Sequence, residues 1–127
     1  MIKYFVRVLP DGQIDIIEYS GGELNDFLFH HVDCQSMEFV KSFCLADNLI
    51  AVGDYCSLPT DSCPKHAFNF VASYLYSCFE CPVFGPVVIG CEYVLLGEPI
   101  VVGMTQSDAL CLVSKIKRIR AAIANIR

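Results

Sequence analysis

Several signatures of large functional classes are missing from this sequence of 127 residues. No apolar run approaches the roughly 20 residues that a membrane-spanning helix needs, so we expect no membrane contact. The first residues, Met1 to Arg7, lack the apolar segment and cleavage site of a secretory signal peptide. These absences predict a cytoplasmic protein.

Common catalytic motifs are also absent. The sequence has no serine hydrolase elbow, Walker loop or dinucleotide-binding glycine fingerprint. His30 and His31 are adjacent, so they point to different faces of a helix, and we expect one to be half-buried and the other exposed. We therefore predict no catalytic residues and lean towards a protein that is not an enzyme, although a Cys/His-dependent enzyme remains an alternative.

The eight cysteines do not form a regular metal-binding pattern. The segment from Cys78 to Cys81 has C-x-x-C spacing, but structural zinc needs four ligands, and Cys56, Cys63 and His66 could complete the set only with irregular spacing. The segment also lies at the C-terminus of a predicted helix, whereas redox C-x-x-C motifs lie at helix N-termini, where the thiol pKa is lowered. We predict no metal and no cofactor, with a zinc-binding module as the weaker alternative.

In a reducing cytoplasm the cysteines are expected to be free thiols that pack as small hydrophobic side chains. The cysteines with apolar neighbours fit this prediction best, namely Cys34, Cys44, Cys91 and Cys111. Hydrophobic residues make up 54% of the chain and the mean hydropathy is +0.48. This apolar excess suggests both a dense core and a subunit interface, so we predict a homo-oligomer, a dimer or higher.

Charge is distributed unevenly along the chain. All fourteen acidic residues lie in residues 1–108, whereas residues 109–127 contain five basic residues and no acid. An acidic body with a basic end is not typical of a duplex-DNA-binding protein, and we expect none to be bound. The basic segment either packs on the acidic body or contacts a phosphate or a partner.

Hydrophobic periodicity predicts a single α+β domain spanning residues 1–127. Its sheet should be antiparallel or mixed, with five to six strands, and should pack against about three helices. The predicted strands are Tyr4 to Leu9, Ile14 to Tyr19, Met37 to Phe43, Leu49 to Tyr55, Gly85 to Leu96 and Ile100 to Met104. The predicted helices are residues 23–32, 64–79 and 106–126, the last being a basic C-terminal helix capped by Thr105 and Asp108.

The predicted helix at residues 64–79 has two contrasting faces. Its apolar face contains Phe68, Val71, Ala72, Leu75 and Phe79. The opposite face carries His66, Asn69, Ser73 and Tyr76, flanked by Phe70 and Tyr74. An uncharged polar face bordered by aromatic residues suits a pocket wall or a protein contact, but it is also compatible with an ordinary exposed surface.

The last helix carries an apolar seam with alternating spacings of four and three residues. The seam consists of Leu112, Ile116, Ile119, Ile123 and Ile126. Parallel pairing of two such helices would bring Lys115, Arg120 and Arg127 against like charges. The seam is therefore expected to pack on the sheet of its own domain or on an acidic surface of a second subunit.

The chain resembles a family of small proteins of phages and mobile elements, catalogued as domain of unknown function 3846. The resemblance lies in Ile50 to Asp54 before the Leu58-Pro59 turn, in Asn69, Ala72 and Leu75, in Gly85 to Ile89, and more loosely in Gly103 to Ala109. It implies a small α+β fold and a phage or plasmid origin, hence the host cytoplasm, but no established activity. The segment from Thr60 to Phe68 looks longer than the family's connection, and the basic end looks like an extension.

The resemblance, together with the absence of catalytic motifs, implies a non-enzymatic binding protein of a phage or mobile element, and analogy with other small phage proteins favours one that counteracts host immunity by sequestering a nucleotide signal. In that function His66, Asn69, Tyr74 and Tyr76 would hold the base and sugar. The phosphates would bind basic side chains, for which the candidates are Arg7, Lys65, Arg118 and Arg120. The alternative is a protein-interaction module that inhibits a host protein through Phe70 and Tyr74 or through the basic helix.

Overall fold

A hairpin opens the fold, as its sequence predicts. In the computed structural model, β1 (Lys3–Val8) pairs antiparallel with β2 (Ile14–Tyr19) across the turn at Pro10 to Gln13. Gly12 has a φ of 91°, a backbone conformation that glycine adopts without steric cost. The structure describes residues 2–33, 37–41, 44–46, 48–54, 67–77 and 82–125.

Within these residues, six strands form one antiparallel sheet and three helices pack on it. The remaining strands are β3 (Met37–Val40), β4 (Leu49–Asp54), β5 (Val87–Leu95) and β6 (Glu98–Val102). The helices are α1 (Leu24–Val32), α2 (Phe70–Ser77) and α3 (Gln106–Ala124). The predicted α+β class, strand number and helix number are therefore confirmed.

β5 is the central strand of the sheet. The strand order is β2-β1-β5-β4-β3, and β6 also pairs with β5. Ile89 pairs with Val6 of β1 on one edge and with Ala51 of β4 on the other, whereas Cys91 pairs with Val102 and Leu49. β1 and β6 therefore lie end to end along the same edge of β5, and a bridge between Tyr4 and Met104 joins them.

The two faces of the sheet are covered by different helices. On one side, which we call the α1 face, Leu28 and Val32 of α1 pack with Phe5, Val52 and Val88. The opposite side is the α2/α3 face, where the apolar residues of α2 and α3 join those of the sheet. This second cluster includes Val6, Val8, Ala51, Val71, Ala72, Leu75, Val87, Ile89, Ala109, Leu112, Ile116 and Ile123. The seam of α3 thus packs on the sheet of its own chain.

Asn69 begins α2 and determines where that helix starts. Its side-chain oxygen accepts a hydrogen bond from the Ala72 N–H at 3.0 Å, which makes it the N-terminal capping residue. The predicted helix over residues 64–79 is observed from Phe70, while residues 64–66, 78 and 79 lie outside the described part. The prediction that Asn69 shares a polar helix face with Tyr76 assumes a rotation of about 100° per residue. This rotation does not apply to Asn69, because Asn69 precedes the helix. Both Asn69 and Ser73 are buried, so that prediction is wrong for these two residues.

Candidate binding surface: the β5–β6 arm and the groove at its base

A two-residue turn connects β5 to β6. Leu95 pairs with Glu98, leaving Leu96 and Gly97 as the turn, with φ values of 52° and 81°. Two successive positive φ angles are the pattern of a type I′ turn, which normally contains Asn-Gly or a similar pair. Leucine at the first position adopts a left-handed conformation that is unfavourable for a side chain of its size.

The hairpin continues beyond the rest of the sheet. β4 pairs with β5 as far as Cys91, and the Glu92 N–H donates to the Asn48 carbonyl at 2.7 Å. Beyond this point β6 is the strand that pairs with β5 among the described residues. Residues 92–100 therefore form a two-stranded ribbon, the β5–β6 arm, which extends roughly 14 Å past the base at the usual rise of a strand.

The arm is unusually apolar for an exposed ribbon. Its exposed large hydrophobic side chains are Tyr93, Val94, Leu95, Leu96 and Ile100, and Leu96 is 96% exposed. Alternate residues of a strand share a face, and Cys91 belongs to the α2/α3 cluster. Tyr93, Leu95 and their neighbour Ile100 consequently extend the α2/α3 face, and Val94 extends the α1 face. Contiguous exposed apolar surface of this kind marks an interaction site.

The outer edge of β6 is poorly suited to pairing with another strand. The pair that closes a two-residue turn is hydrogen-bonded, so the next pair, Val94 and Pro99, directs its backbone groups outwards. Pro99 has no N–H to donate at that edge. A partner that contacts the arm would therefore meet its side-chain faces rather than extend the sheet.

A groove lies at the base of the arm on the α2/α3 face. It has a volume of about 260 Å³ and separates the start of α3 from the segment before β4. Its lining residues are Ala46, Asn48, Leu49, Cys91, Met104, Asp108, Cys111, Leu112 and Lys115. The groove combines an apolar floor with one carboxylate and one ammonium group on the α3 wall.

The two thiols of the groove differ in their environment. Burial raises the pKa of the Cys91 thiol, the Asp108 carboxylate adds to this increase, and the Lys3 ammonium opposes it. Cys91 is thus held in the protonated form, which is the opposite of what a nucleophilic cysteine needs. Cys111 is exposed. The prediction of buried cysteines is met in part by the half-buried Cys44 and Cys91, is wrong for Cys111, and falls outside the described residues for Cys34.

A separate polar cluster lies on the α1 face. Arg7 Nε and Nη2 donate to the Asp15 carboxylate at 3.2 and 2.9 Å, and Arg7 Nη1 lies 3.3 Å from His31 Nδ1. Burial lowers the pKa of His31, with further lowering by Arg7 and His30 and an opposing effect of Asp15. His30 is exposed and His31 is half-buried, as expected for adjacent histidines on a helix.

The described members of the predicted nucleotide site do not converge. Arg7 is paired with Asp15 on the α1 face, whereas Arg120 Nη1 donates to the Gly12 carbonyl at 2.6 Å and thereby attaches α3 to the β1–β2 turn. Arg118 is exposed on α3. Lys65 and His66 lie outside the described residues, as do Cys56, Cys63, Cys78 and Cys81 of the possible zinc site. No cluster of three or more metal-binding side chains occurs among the residues that the structure describes.

The other candidates on α2 are occupied by packing. Asn69 is fully buried, and its Nδ2 donates to the Val8 and Gly85 carbonyls at 3.0 and 2.8 Å, so it does not face a ligand from solvent. Tyr74 and Tyr76 are half-buried against the α2/α3 core, and Tyr76 lines a small apolar crevice beneath α2. Phe70 is half-buried there too, so Phe70 and Tyr74 are not the exposed pair that the interaction hypothesis assumed.

The arm was not predicted as a binding surface from the sequence, although one feature of the sequence indicated exposed apolar residues there. Leu95-Leu96-Gly97 places two leucines at a tight turn, where polar residues are usual.

Comparison with family models, curated proteins and solved structures finds no match to this chain. Among the described residues, no helix is both long and apolar enough to cross a bilayer.

Proposed function

We propose that this chain is a non-enzymatic binding protein that holds a protein partner through the β5–β6 arm. The observation that carries the proposal is the ribbon of residues 92–100, on which five large apolar side chains are exposed. Exposed apolar surface is costly in water, and its removal from water is the main driving force of protein association. The proposal corresponds to the interaction module considered from the sequence, with a different surface.

The charge of the arm favours a protein partner over a lipid surface. Residues 91–105 contain the acidic residues Glu92 and Glu98 and no lysine or arginine. Peripheral membrane segments typically add basic residues that bind anionic lipids. Tyr93 also fits a protein interface, because tyrosine is enriched in the central contacts of such interfaces.

Sequestration of a nucleotide remains a prediction from the sequence. Its described phosphate candidates lie apart, and Asn69 is buried. A rise of several degrees in Tm with one member of a nucleotide panel would favour it over the arm-based proposal, because a ligand that binds only the folded state stabilises that state. Phage origin and inhibition of a host protein likewise remain predictions about the biological setting of the arm.

The test compares two substitutions at leucines of similar exposure. Leu95 on the arm is 51% exposed and Leu110 on α3 is 56% exposed. We expect Leu95→Asp to abolish capture of protein partners from a lysate of the source cell, since it places a carboxylate in the apolar contact. Leu110→Asp should leave capture unchanged. Equal capture by the wild type and by Leu95→Asp would refute the proposed role of the arm.

A further inference from the structure

The arm and the groove together form a self-complementary surface. We infer that a second copy of this chain is the partner of the arm, in a two-fold symmetric dimer in which the arm of each copy packs across the groove of the other. This inference rests on the proposed function, because it assigns a partner to the same arm.

The first argument is the position of the groove relative to the arm. Cys91 lies in the floor of the groove, and the arm begins at the next residue of β5. The apolar side chains Tyr93, Leu95 and Ile100 continue that face outwards. The paired strands direct the arm away from its own groove, so a chain cannot fill its groove with its own arm.

A two-fold symmetry axis would allow the arm of each copy to fill the groove of the other. If the axis passes through the middle of the arm, near Tyr93 and Ile100, then the tip of each arm lies over the base of the other. Leu95 of one copy then reaches the apolar floor formed by Leu49, Cys91 and Met104 of the second copy. Such an isologous contact uses the same surface twice and forms a closed dimer. Because Pro99 blunts the strand edge, the contact is between side-chain faces.

The surface is comparable in size to the smallest specific interfaces. Val94 lies on the α1 face, and the other four exposed apolar side chains of the arm offer roughly 400 Å² per copy, at about 100 Å² for each buried apolar side chain. The walls of the groove add to this area. Specific interfaces begin at roughly 600 Å² per partner, and the arm supplies about two thirds of that area before the groove walls are added.

Charge also favours this arrangement over a random apolar contact. Glu98 pairs with Leu95 across the hairpin, so it lies on the α2/α3 face at the tip of the arm. Lys115 lies on the wall of the groove, together with the opposing carboxylate of Asp108. The tip of one copy therefore brings the Glu98 carboxylate to a groove whose wall offers the Lys115 ammonium group.

The decisive experiment measures the mass of the full chain under reducing conditions, by native mass spectrometry and light scattering. We expect a dimer for the wild type and for Leu110→Asp, and a monomer for Leu95→Asp. Glu98→Lys and Lys115→Glu should each weaken the dimer at least tenfold. An equal mixture of these two variants should restore it as a heterodimer, because both of its tip-to-groove contacts then join opposite charges.

A second readout does not depend on charge substitutions. Cys111 is exposed in the isolated chain and lines the groove. Its alkylation, followed at the peptide level, should be several-fold slower in the wild type than in Leu95→Asp. A circular dichroism spectrum and Tm close to those of the wild type will show that a monomeric variant is folded, and Leu96→Asn provides a second arm variant that suits the turn.

The possible outcomes separate the inference from the proposed function. A monomeric wild type, a dimer that persists in Leu95→Asp, or a mixture that fails to restore the dimer overturns the arm-to-groove arrangement. If the wild type is monomeric but captures another protein from the lysate, and Leu95→Asp does not capture it, then the arm binds that protein and the proposed function stands. If capture is also unchanged, both are wrong.

Discussion

Asn69 connects three parts of the chain through one buried side chain. Its Nδ2 donates to Val8 in β1 and to Gly85 before β5, and its Oδ1 caps α2 by accepting from Ala72. Ser73 strengthens this arrangement, since its hydroxyl donates to the Asn69 carbonyl at 2.7 Å and accepts from the Val83 N–H at 2.8 Å. The position of α2 on the sheet therefore depends on a polar residue rather than on apolar packing alone.

We expect Asn69→Ala to lower the free energy of unfolding by about 3 kcal/mol, because two buried carbonyls lose their donor and α2 loses its cap. Asn69→Asp should be at least as damaging, since a carboxylate cannot donate to those carbonyls and its charge would be buried. Asn25→Ala, at an exposed position on α1, is the control and should change stability little. Urea unfolding of the three variants will test this, and near-wild-type stability of Asn69→Ala would contradict the structural role of this side chain.

His31 makes a predictable contribution to the pH dependence of stability. Burial and the neighbouring Arg7 lower its pKa in the folded chain below the ordinary value of 6.5. The unfolded chain therefore takes up this proton first as the pH falls, which favours unfolding. Above pH about 6.5 His31 is neutral in both the folded and the unfolded chain, and it does not reduce the free energy of unfolding. Below that pH the free energy of unfolding should decline until the pH passes the lower pKa of the folded state.

The comparison of His31→Gln with the wild type isolates this effect. The variant should lose less stability than the wild type between neutral and mildly acidic pH, because its side chain takes up no proton. His30→Gln, at the neighbouring position on α1, should retain most of the pH dependence of the wild type. Thermal unfolding at a series of pH values is the measurement. Parallel curves for the wild type and His31→Gln would show that His31 does not contribute.

At the scale of the elements, the tip of the arm carries a leucine that lowers the stability of the turn and gains no burial in return. Leu96 has a φ of 52° and is 96% exposed, so in the isolated chain it has neither a favourable backbone conformation nor a buried side chain. A left-handed conformation costs a residue with a side chain roughly 1–2 kcal/mol, and asparagine tolerates it better. A stability cost maintained at an exposed site is typical of a functional position.

Leu96→Asn should therefore have two opposite effects. We expect the free energy of unfolding of the monomeric chain to rise by about 1 kcal/mol, as the turn gains a favourable Asn-Gly pair. Association through the arm should weaken, because an apolar contact at the tip is lost. To separate the two effects, unfolding is measured at dilution in the Leu95→Asp background, and association in the wild-type background. A loss of stability on Leu96→Asn in the monomeric background would contradict the turn argument.

The elements also show which features hydrophobic periodicity can predict. The seam of α3 and the apolar face of α1 follow a 3.6-residue period, and Leu112, Ile116, Leu28 and Val32 are buried as that period requires. The strands likewise alternate. The projection of the arm could not be predicted in this way, because Tyr93 and Leu95 alternate like residues of a covered strand. Their exposure results from β4 and β1 ending earlier along β5, which is a property of tertiary structure.

At the scale of the whole molecule, the uneven charge has a simple structural basis. The apolar seam of α3 packs on the sheet, and its basic residues Lys115, Lys117 and Arg118 are exposed on the outer side. The ion pairs of the described residues involve Arg7 with Asp15 and Lys41 with Glu92, and none of these cations belongs to α3. The basic helix thus attaches to the acidic body through apolar packing and the Arg120 contact, and its other charges remain available at the surface.

The net charge of −5 and the apolar arm have opposing effects on association. Long-range repulsion between two such chains is small, because it is largely screened over about 8 Å at physiological ionic strength. Burial of the arm acts at contact and is not weakened by salt. Association should therefore persist at high salt. Because the partner binds the folded chain, association should also stabilise the fold.

This linkage predicts that the stability of the wild type depends on protein concentration. If the dimer unfolds to two separate chains, each tenfold rise in concentration should increase the apparent free energy of unfolding by about 1.4 kcal/mol per dimer, since the partner binds only the folded state. Urea midpoints of the wild type and of Leu110→Asp should accordingly rise with concentration. Leu95→Asp should give one midpoint at all concentrations, because its folded state has no partner. A wild-type midpoint that is independent of concentration across the range where mass measurements detect the dimer would mean that association does not stabilise the fold.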